Sequence, residues 1–505
     1  MVYTKRLKVK ILDIDADKQI ALLNSRTAKD LLASTKSRVC VKFEDKETNF
    51  IIDLTDKFID ENAIGLYRDN TGGLKLHDGD IVEVSLLSIP PSIQFIIDKI
   101  KNRPLTEKQI TQIISDIVYN RLSDTEISAF ITAVTINGLN LDETISVCKA
   151  MTLTGKVIEF NRKVILDKHS IGGINGRVSM IVTPIIASCG YYMPKTASRA
   201  ISSAAGTADC MEVLADVSFD INDIKKIVHE HGGLLAWNGK VDLCPADDKM
   251  IMVRHSLGLD PEGLVIASVL SKKKSVSATH LIVDIPVGPT VKVRNREEGQ
   301  RWASKFIAIS KEIGINTKVV LTNGALPCGK YFGPSLEARG ALEVLECKYF
   351  DSLAEKACEI AGCLLELVGR VDEGKGYDLA KDTLLSGKAL SKFKEILKAQ
   401  NGRVFESEKI PWAEHKQDIV AMESGKIVGL DVSNLTKIAR TAGAPSDQLA
   451  GVVLAKDAGD KIKEGETIFT IHSSNKEKLR IAVEMSKELL KDTVKIEKVI
   501  LEEMN

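Results

Sequence analysis

The segment Asp167-Lys-His-Ser-Ile-Gly-Gly-Ile-Asn-Gly-Arg-Val-Ser179 gathers a lysine, two hydroxyls and three glycines, and an apolar run starts at Val178. That order predicts a strand end, a pliant turn and a helix start. Such a turn can cradle an anion: glycine lets the backbone approach it, and free N–H groups at a helix start point toward it. Lys168 adds a point charge, and Ser170 and Ser179 add hydroxyl donors. The spacing is neither a Walker A loop nor a G-x-G-x-x-G fingerprint. Taken alone, the segment could equally be a tight strand-to-helix turn. A second polar stretch, Thr196-Ala-Ser-Arg-Ala-Ile-Ser-Ser-Ala-Ala-Gly-Thr-Ala-Asp209, follows one helix later. It offers Ser198, Ser202, Ser203 and Thr207 as donors, with Arg199 among them, and its end can open another helix. Two such loops at the carboxyl ends of neighbouring strands converge on one crevice, the usual ligand position of an open α/β sheet. Either loop by itself could be a plain solvated cap.

The elements that must position these loops belong to a long soluble chain. Its 505 residues suggest three to four domains. Charged residues make up 27% and hydrophobic residues 44%, which rules out a disordered or collagen-like chain. Lys+Arg and Asp+Glu both total 69, so a general nucleic-acid coat protein loses ground. A local positive pocket is compatible with zero net charge. The nine cysteines form no CxxC pair and do not cluster with the eight histidines. No metal site is expected, and the thiols read as reduced, buried small hydrophobes of an intracellular protein. The start, MVYTKRLKVK, lacks the apolar core of a secretory leader. The stretch Val178–Met193 contains Pro184, Ser188 and Gly190 and is too short to span a bilayer, so it reads as a buried core helix. The expectation is a cytoplasmic protein with neither membrane nor nucleic acid as partner.

The fold class expected is multidomain α/β. Residues 1–87 read as a β-rich, barrel-like domain: Leu7–Ile11, Val39–Phe43, Phe50–Leu54 and Ile81–Leu87 are strand-like, and Thr27–Ala33 is an amphipathic helix. The turns Asp69-Asn-Thr-Gly-Gly and His77-Asp-Gly-Asp punctuate it, and Pro90-Pro91 forms a stiff linker. A helical domain over 92–160 follows, with capping-box spacing at Thr106/Gln109 and Ser123/Glu126, and with 248–276 returning to it. Residues 161–247 and 277–409 alternate strands (Val164-Ile-Leu, Leu234-Leu-Ala, Leu281-Ile-Val-Asp, Val319-Val-Leu-Thr) with helices. They predict a central phosphate-binding α/β domain with a mainly parallel sheet. Residues 410–505 read as a C-terminal α+β domain, with strands at Asp418–Met422, Ile427–Leu430, Gly451–Leu454 and Thr467–Ile471 and a helix over Asn475–Leu490.

Asp167-Lys-His-Ser-x-Gly-Gly resembles the signature of the thymidine/pyrimidine nucleoside phosphorylase family. Further pieces recur in order: Ser198-Arg, Gly206-Thr, Cys244-Pro-Ala-Asp247, Arg254, Ala267-Ser268, Lys272 and Asp284-Ile-Pro-Val-Gly288. The resemblance covers most of 92–500. It departs from the nucleoside enzymes in three places. Their second loop, S-G-R-G-L-G-H-T-G-G-T, is one residue shorter here. Their D-V-K-V-G is Asp284-Ile-Pro-Val-Gly, with Lys292 beyond it. The first 87 residues are extra. All three departures resemble the family branch that acts on nucleoside 5′-monophosphates.

The resemblance implies phosphorolysis of AMP, and of CMP and UMP, to free base and ribose 1,5-bisphosphate, in nucleotide catabolism feeding ribulose bisphosphate carboxylase. It assigns inorganic phosphate, a co-substrate, to Lys168, Ser170, Ser179, Ser198 and Thr207. It assigns the nucleotide to Gly173, Ser198, Arg199, Ala200, Ile201, Ser202, Ser203, Thr207, Ser268 and Lys292. Asp260 becomes the proton donor, with His169, Arg254 and Lys272 as additional candidates. A purine anion is a poor leaving group, so a general acid at the base helps. Asp260 can serve only if burial or a nearby negative charge keeps its carboxyl protonated. Asp260 also precedes Pro261, the position of a simple helix cap. No cofactor is implied. The implied assembly is a homodimer through the helical domain, with the N-terminal domain supporting larger homo-oligomers, and the implied site is a crevice between the helical and α/β domains. The rival readings are a pyrimidine or thymidine nucleoside phosphorylase, a phosphoribosyltransferase with a diphosphate-magnesium site, and a non-catalytic nucleotide-binding scaffold.

Overall fold

A computed structural model of the chain describes residues 4–15, 19–68, 71–172, 174–255 and 257–497. Two compact units emerge, one of residues 1–155 and 244–268, the other of 156–243 and 269–505.

The first unit opens with a closed six-stranded barrel. Its strands are β1 (Thr4–Leu12), β2 (Ile20–Leu23), β3 (Arg38–Phe43), β4 (Lys46–Leu54), β5 (Ala63–Tyr67) and β6 (Ile81–Leu86), in the order β1-β5-β2-β4-β3-β6. Alternate residues point inward, as the period of a strand requires. Leu7, Val39, Phe50, Ile52, Ile64, Val82 and Val84 are fully buried and fill the interior. The expected helix is present as the shorter Ser25–Asp30. Of the expected turns, Asp69 and Asn70 lie outside the described residues.

Helices follow the barrel. Ser92–Ile100 starts directly after the two prolines. Thr106 and Ser123 both close full capping boxes with Gln109 and Glu126, and Asn140 closes a third with Glu143. Glu126 is also ion-paired with Arg38 of β3, and Asn49 of β4 donates to the Tyr119 carbonyl, so barrel and bundle are tied through polar contacts. Lys99 and Glu143 form an ion pair at 2.8 Å that is almost wholly buried.

The second unit is built on parallel strands: β7 (Leu166–Ser170), β8 (Met193–Ala197), β9 (Gly233–Trp237), β10 (His280–Val287) and β11 (Asn316–Asn323). Their order is β11-β10-β7 and β8-β9, the two sets joined by a parallel bridge between Ile165 and Tyr192. The run Val178–Met193 is not one helix. The helix ends at Ser188, Gly190 turns the chain with φ +87°, and Met193 already begins β8. The helix Val178–Ser188 is apolar on every face because it is buried on every face. Ile181, Ile185 and Ile186 each remove a whole side chain from water, about 1.5–3 kcal/mol apiece.

The C-terminal part holds β12 (Tyr331–Phe332), β13 (His415–Val420), β14 (Gly425–Leu430), β15 (Gly451–Leu454), β16 (Lys461–Ile462), β17 (Thr467–Ser473) and β18 (Val494–Glu497). They form two antiparallel sheets, β12-β15-β17-β13 and β16-β14-β18, packed with the helices Val432–Thr441 and Lys476–Thr493. β12 comes from well before residue 410, so this sheet borrows an edge strand from the preceding domain.

Candidate active site

β7 places the charged residues of the first motif on two faces, because successive side chains alternate. On one face lie Asp167 and His169. The Asp167 carboxylate is fully buried and accepts from Lys273 at 2.6 Å and Lys195 at 3.4 Å. Burial, and then the neighbouring lysines 273, 195, 168 and 272, push the His169 imidazole well below its usual range, so it is neutral. That fits a hydrogen-bonding side chain better than a general base.

On the other face lie Lys168 and Ser170, beside Asp284 of β10. Asp284 is the direct cross-strand partner of Ser170. Its Oδ2 accepts from Ser170 Oγ at 2.8 Å and is paired with Lys356 Nζ at 2.9 Å, and its Oδ1 accepts from Thr322 Oγ1 at 2.5 Å. Lys356 comes from the helix Ser352–Leu367 and also donates to Thr322 at 3.0 Å. Ser170 was expected to donate to an anion, but its proton is committed to Asp284. Lys168 is 4% exposed, and its amine donates no hydrogen bond among the described residues. Burial pushes it down to about 8, against the pull of Asp284. Beside this cluster opens a cleft of about 450 Å³, lined by Ile174, Thr322, Leu326, Lys356 and Ile360.

The first loop is pinned by buried side chains. Asn175 donates to the carbonyls of Cys328, Gly329 and Tyr331 and accepts from Cys328 N at 2.9 Å. Glu337 accepts from Gly176 N at 2.9 Å and from Arg177 Nε at 2.6 Å. Gly176 has φ +84°, and a Cβ there would lie 2.5 Å from the Cys328 carbonyl oxygen, so only glycine fits. Ser179 sits buried in the first turn of the helix Val178–Ser188, whose start carries no side-chain cap. Gly173 lies outside the described residues.

The second loop follows β8. Asp209 Oδ2 accepts from Ala200 N at 2.7 Å and Gly206 N at 2.8 Å, closing the loop on itself. A Cβ on Gly206 would meet Ser198 O at 2.6 Å. Ser198, Ile201 and Ser202 are exposed, and Thr207 opens the helix Thr207–Leu214. The Arg199 guanidinium, expected at the nucleotide, is instead engaged within the fold: it pairs with Glu212 at 2.5 Å and Asp209 at 3.3 Å and stacks on Trp237. From the C-terminal domain, Arg440 donates to the Ser203 carbonyl at 2.9 Å, and Ala204 is buried in that domain's core. Lys292 is exposed between the buried Val291 and Val293, and Lys272 is half-buried in the last turn of the helix Glu262–Ser275.

In the first unit, Ser268 is 9% exposed and donates to Asp247 Oδ2 at 2.6 Å. Asp260 has a side chain that is 42% exposed and lies 2.9 Å from the Arg254 guanidinium. Asn175, Asp209, Glu337 and Lys356 were not singled out from the sequence. Asn175 and Asp209 had a signal, their places inside the two polar loops.

Three family descriptions match in order along the chain. They are a glycosyl transferase family helical bundle domain over 93–155, a glycosyl transferase family α/β domain over 162–390, and a pyrimidine nucleoside phosphorylase C-terminal domain over 427–492. That succession defines a glycosyltransferase with a pyrimidine nucleoside phosphorylase tail. Anthranilate phosphoribosyltransferase from Thermus thermophilus shares the fold, with a TM-score of 0.53 at 19% identity over 60% of this chain and 98% of its own. Similarity to curated proteins runs nearly end to end. The AMP phosphorylase of Methanococcoides burtonii is 40% identical over 96% of both chains, and that of Methanocaldococcus jannaschii is 39% identical over 99% of both. The AMP phosphorylase of Pyrococcus horikoshii is 41% identical over 98% of this chain and 99% of its own. The chain belongs to the AMP phosphorylase family.

Proposed function

We propose that this chain is a pentosyltransferase that cleaves AMP with inorganic phosphate, releasing adenine and ribose 1,5-bisphosphate, and that it takes CMP and UMP as well. Lys168 is the observation that carries this reading at the site: a buried amine, without a hydrogen-bond acceptor among the described residues, on a parallel strand that the glycine-rich segment links to an uncapped helix start. An oxyanion satisfies it. In this reading Lys168, Ser170, Ser179, Ser198 and Thr207 hold phosphate. Gly173, the second loop from Ser198 to Ser203, Thr207, Ser268 and Lys292 hold the nucleotide, with Arg199 contributing its backbone.

Phosphate attacks C1′ as the bond to the base breaks, and the ribose passes through oxocarbenium character, as in glycoside hydrolysis. Much of the rate comes from holding two anions together against their repulsion. Asp260 supplies the proton to the leaving base, which requires that its carboxylate separate from Arg254 and take up a proton from solvent first. The product is a bisphosphorylated pentose, consumed by a reaction that feeds ribulose bisphosphate carboxylase. The working form is a cytoplasmic homodimer or larger homo-oligomer.

The test is phosphate-dependent base release from AMP, CMP, UMP, adenosine, uridine and thymidine, side by side. Release from the monophosphates alone, with ribose 1,5-bisphosphate formed, is the expected result. Preference for uridine or thymidine returns the chain to the nucleoside phosphorylases. Asp260→Asn is expected to leave AMP binding near intact and to lower turnover at least a hundredfold, the usual worth of a general acid. Equal loss of binding would make Asp260 structural.

A further inference from the structure

A serine hydroxyl has one proton and two lone pairs, whereas an ionised carboxylate can only accept. The network around Asp284 is therefore determined in direction. Lys356 donates to Asp284 and to Thr322, so the Thr322 proton goes to Asp284 Oδ1. Ser170, 2.8 Å from Oδ2, must place its only proton there. The carboxylate is fully buried and surrounded by donors. Burial alone would raise it, but Lys356 and Lys168 outweigh that and hold it below its usual range, so it stays ionised. What Ser170 turns toward a ligand is a lone pair.

We infer that Asp284 fixes Ser170 as a hydrogen-bond acceptor, so that this site selects an oxyanion carrying a proton of its own, hydrogen phosphate, over one that carries none, sulfate. This rests on the reading of Lys168 and Ser170 as the phosphate site. A P–OH directed at Ser170 completes a hydrogen bond, whereas a sulfate oxygen at the same place sets lone pair against lone pair. The same bond parks the protonated oxygen on Ser170. It leaves the charged oxygens to Lys168 and to the attack on C1′, so the nucleophile does not have to lose a proton first. Asp284 and Lys356 are then positioning residues, acting through Ser170.

The experiment is equilibrium binding of inorganic phosphate, arsenate and sulfate to the full-length protein at neutral pH and constant ionic strength. Arsenate shares the proton of phosphate, and sulfate shares its charge and size without the proton. Wild-type protein is expected to prefer phosphate and arsenate over sulfate by about tenfold or more, the worth of one charged hydrogen bond. In Asp284→Asn the amide can donate to Ser170 and free its hydroxyl proton, so sulfate gains and the ratio falls to within about threefold. Ser170→Ala removes the lone pair while keeping the Asp284–Lys356 pair, and should narrow the ratio even if Asp284→Asn does not fold. Phosphate binding with an equal affinity for sulfate overturns the inference and leaves the phosphate site standing, as does a ratio that persists in both variants. A wild-type protein that binds none of the three overturns the phosphate site itself and the inference with it.

Discussion

The two polar loops are alike in composition and are held in different ways. The first, 171–177, is gripped by side chains that are themselves buried: Asn175 makes four hydrogen bonds to the backbone of 328–331, and Glu337 ties Gly176 and Arg177. The second, 198–206, is closed at its ends by Asp209 and tethered by Arg440, while Ser198, Ile201 and Ser202 remain exposed. A small, invariant ligand such as phosphate suits the first arrangement, because a fixed cradle loses little order on binding. A nucleotide that must enter and leave suits the second.

If the first loop depends on its buried anchor, Asn175→Ala should be the most damaging single change. It leaves a backbone N–H and three carbonyls short of partners, which costs about 3 kcal/mol of stability. Phosphate saturation should fail together with the melting temperature, and an unchanged melting temperature would show that the anchor is dispensable. Asp209→Ala opens the second loop at both ends. We expect kcat/KM for AMP to fall by about tenfold to a hundredfold, with a stability loss of about 1–2 kcal/mol. Hydrogen exchange over 198–207 should rise with little change over 171–177, and equal rises would erase the distinction between the loops.

A pH profile sharpens the comparison from the side of charge. Lys168 is pushed down to about 8, and a lysine is cationic below its pKa. Phosphate affinity should therefore weaken as pH rises through about 8, well before an ordinary lysine would lose its charge. Lys168→Arg, always charged, should flatten that limb of the profile. The smallest effect is expected from Arg440→Ala. The side chain is exposed, so melting should shift little, while KM for AMP rises about threefold and KM for phosphate does not. Arg440→Lys should recover part of it. Parallel rises in both KM values would mean that the tether serves the fold rather than the second loop.

Much of this architecture was readable from residue types. The barrel announced itself through the strand-like runs Val39–Phe43 and Ile81–Leu87, and the bundle through Thr106/Gln109 and Ser123/Glu126. Strands β2 and β5 did not, because Ile20–Leu23 and Ala63–Tyr67 are short, nearly continuous apolar runs without a clear period. Met193–Ala197 was not read as a strand either, because Met193 closed the apolar run from Val178, Pro194 and Lys195 broke any alternation, and Thr196 opened the polar loop. The C-terminal sheet's loan of Tyr331–Phe332 had no local signal at all, since two residues carry no periodicity.

The sequence by itself determined which atoms are available for chemistry: Lys168, the two hydroxyl-rich loops, and the glycines without which positions 176 and 206 would collide with backbone. Local patterning suffices for that, because a strand end, a turn and a helix start are short-range structures. Only the tertiary structure decided what those atoms are free to do. Ser170 directs its hydroxyl proton to Asp284 in a hydrogen bond, Arg199 pairs with Glu212, and Ser268 donates to Asp247. Each partner lies between 13 and 114 residues away in the chain. Hydrogen bonds and ion pairs act through space over about 3–4 Å, so their direction is set by which strands and helices the fold brings together.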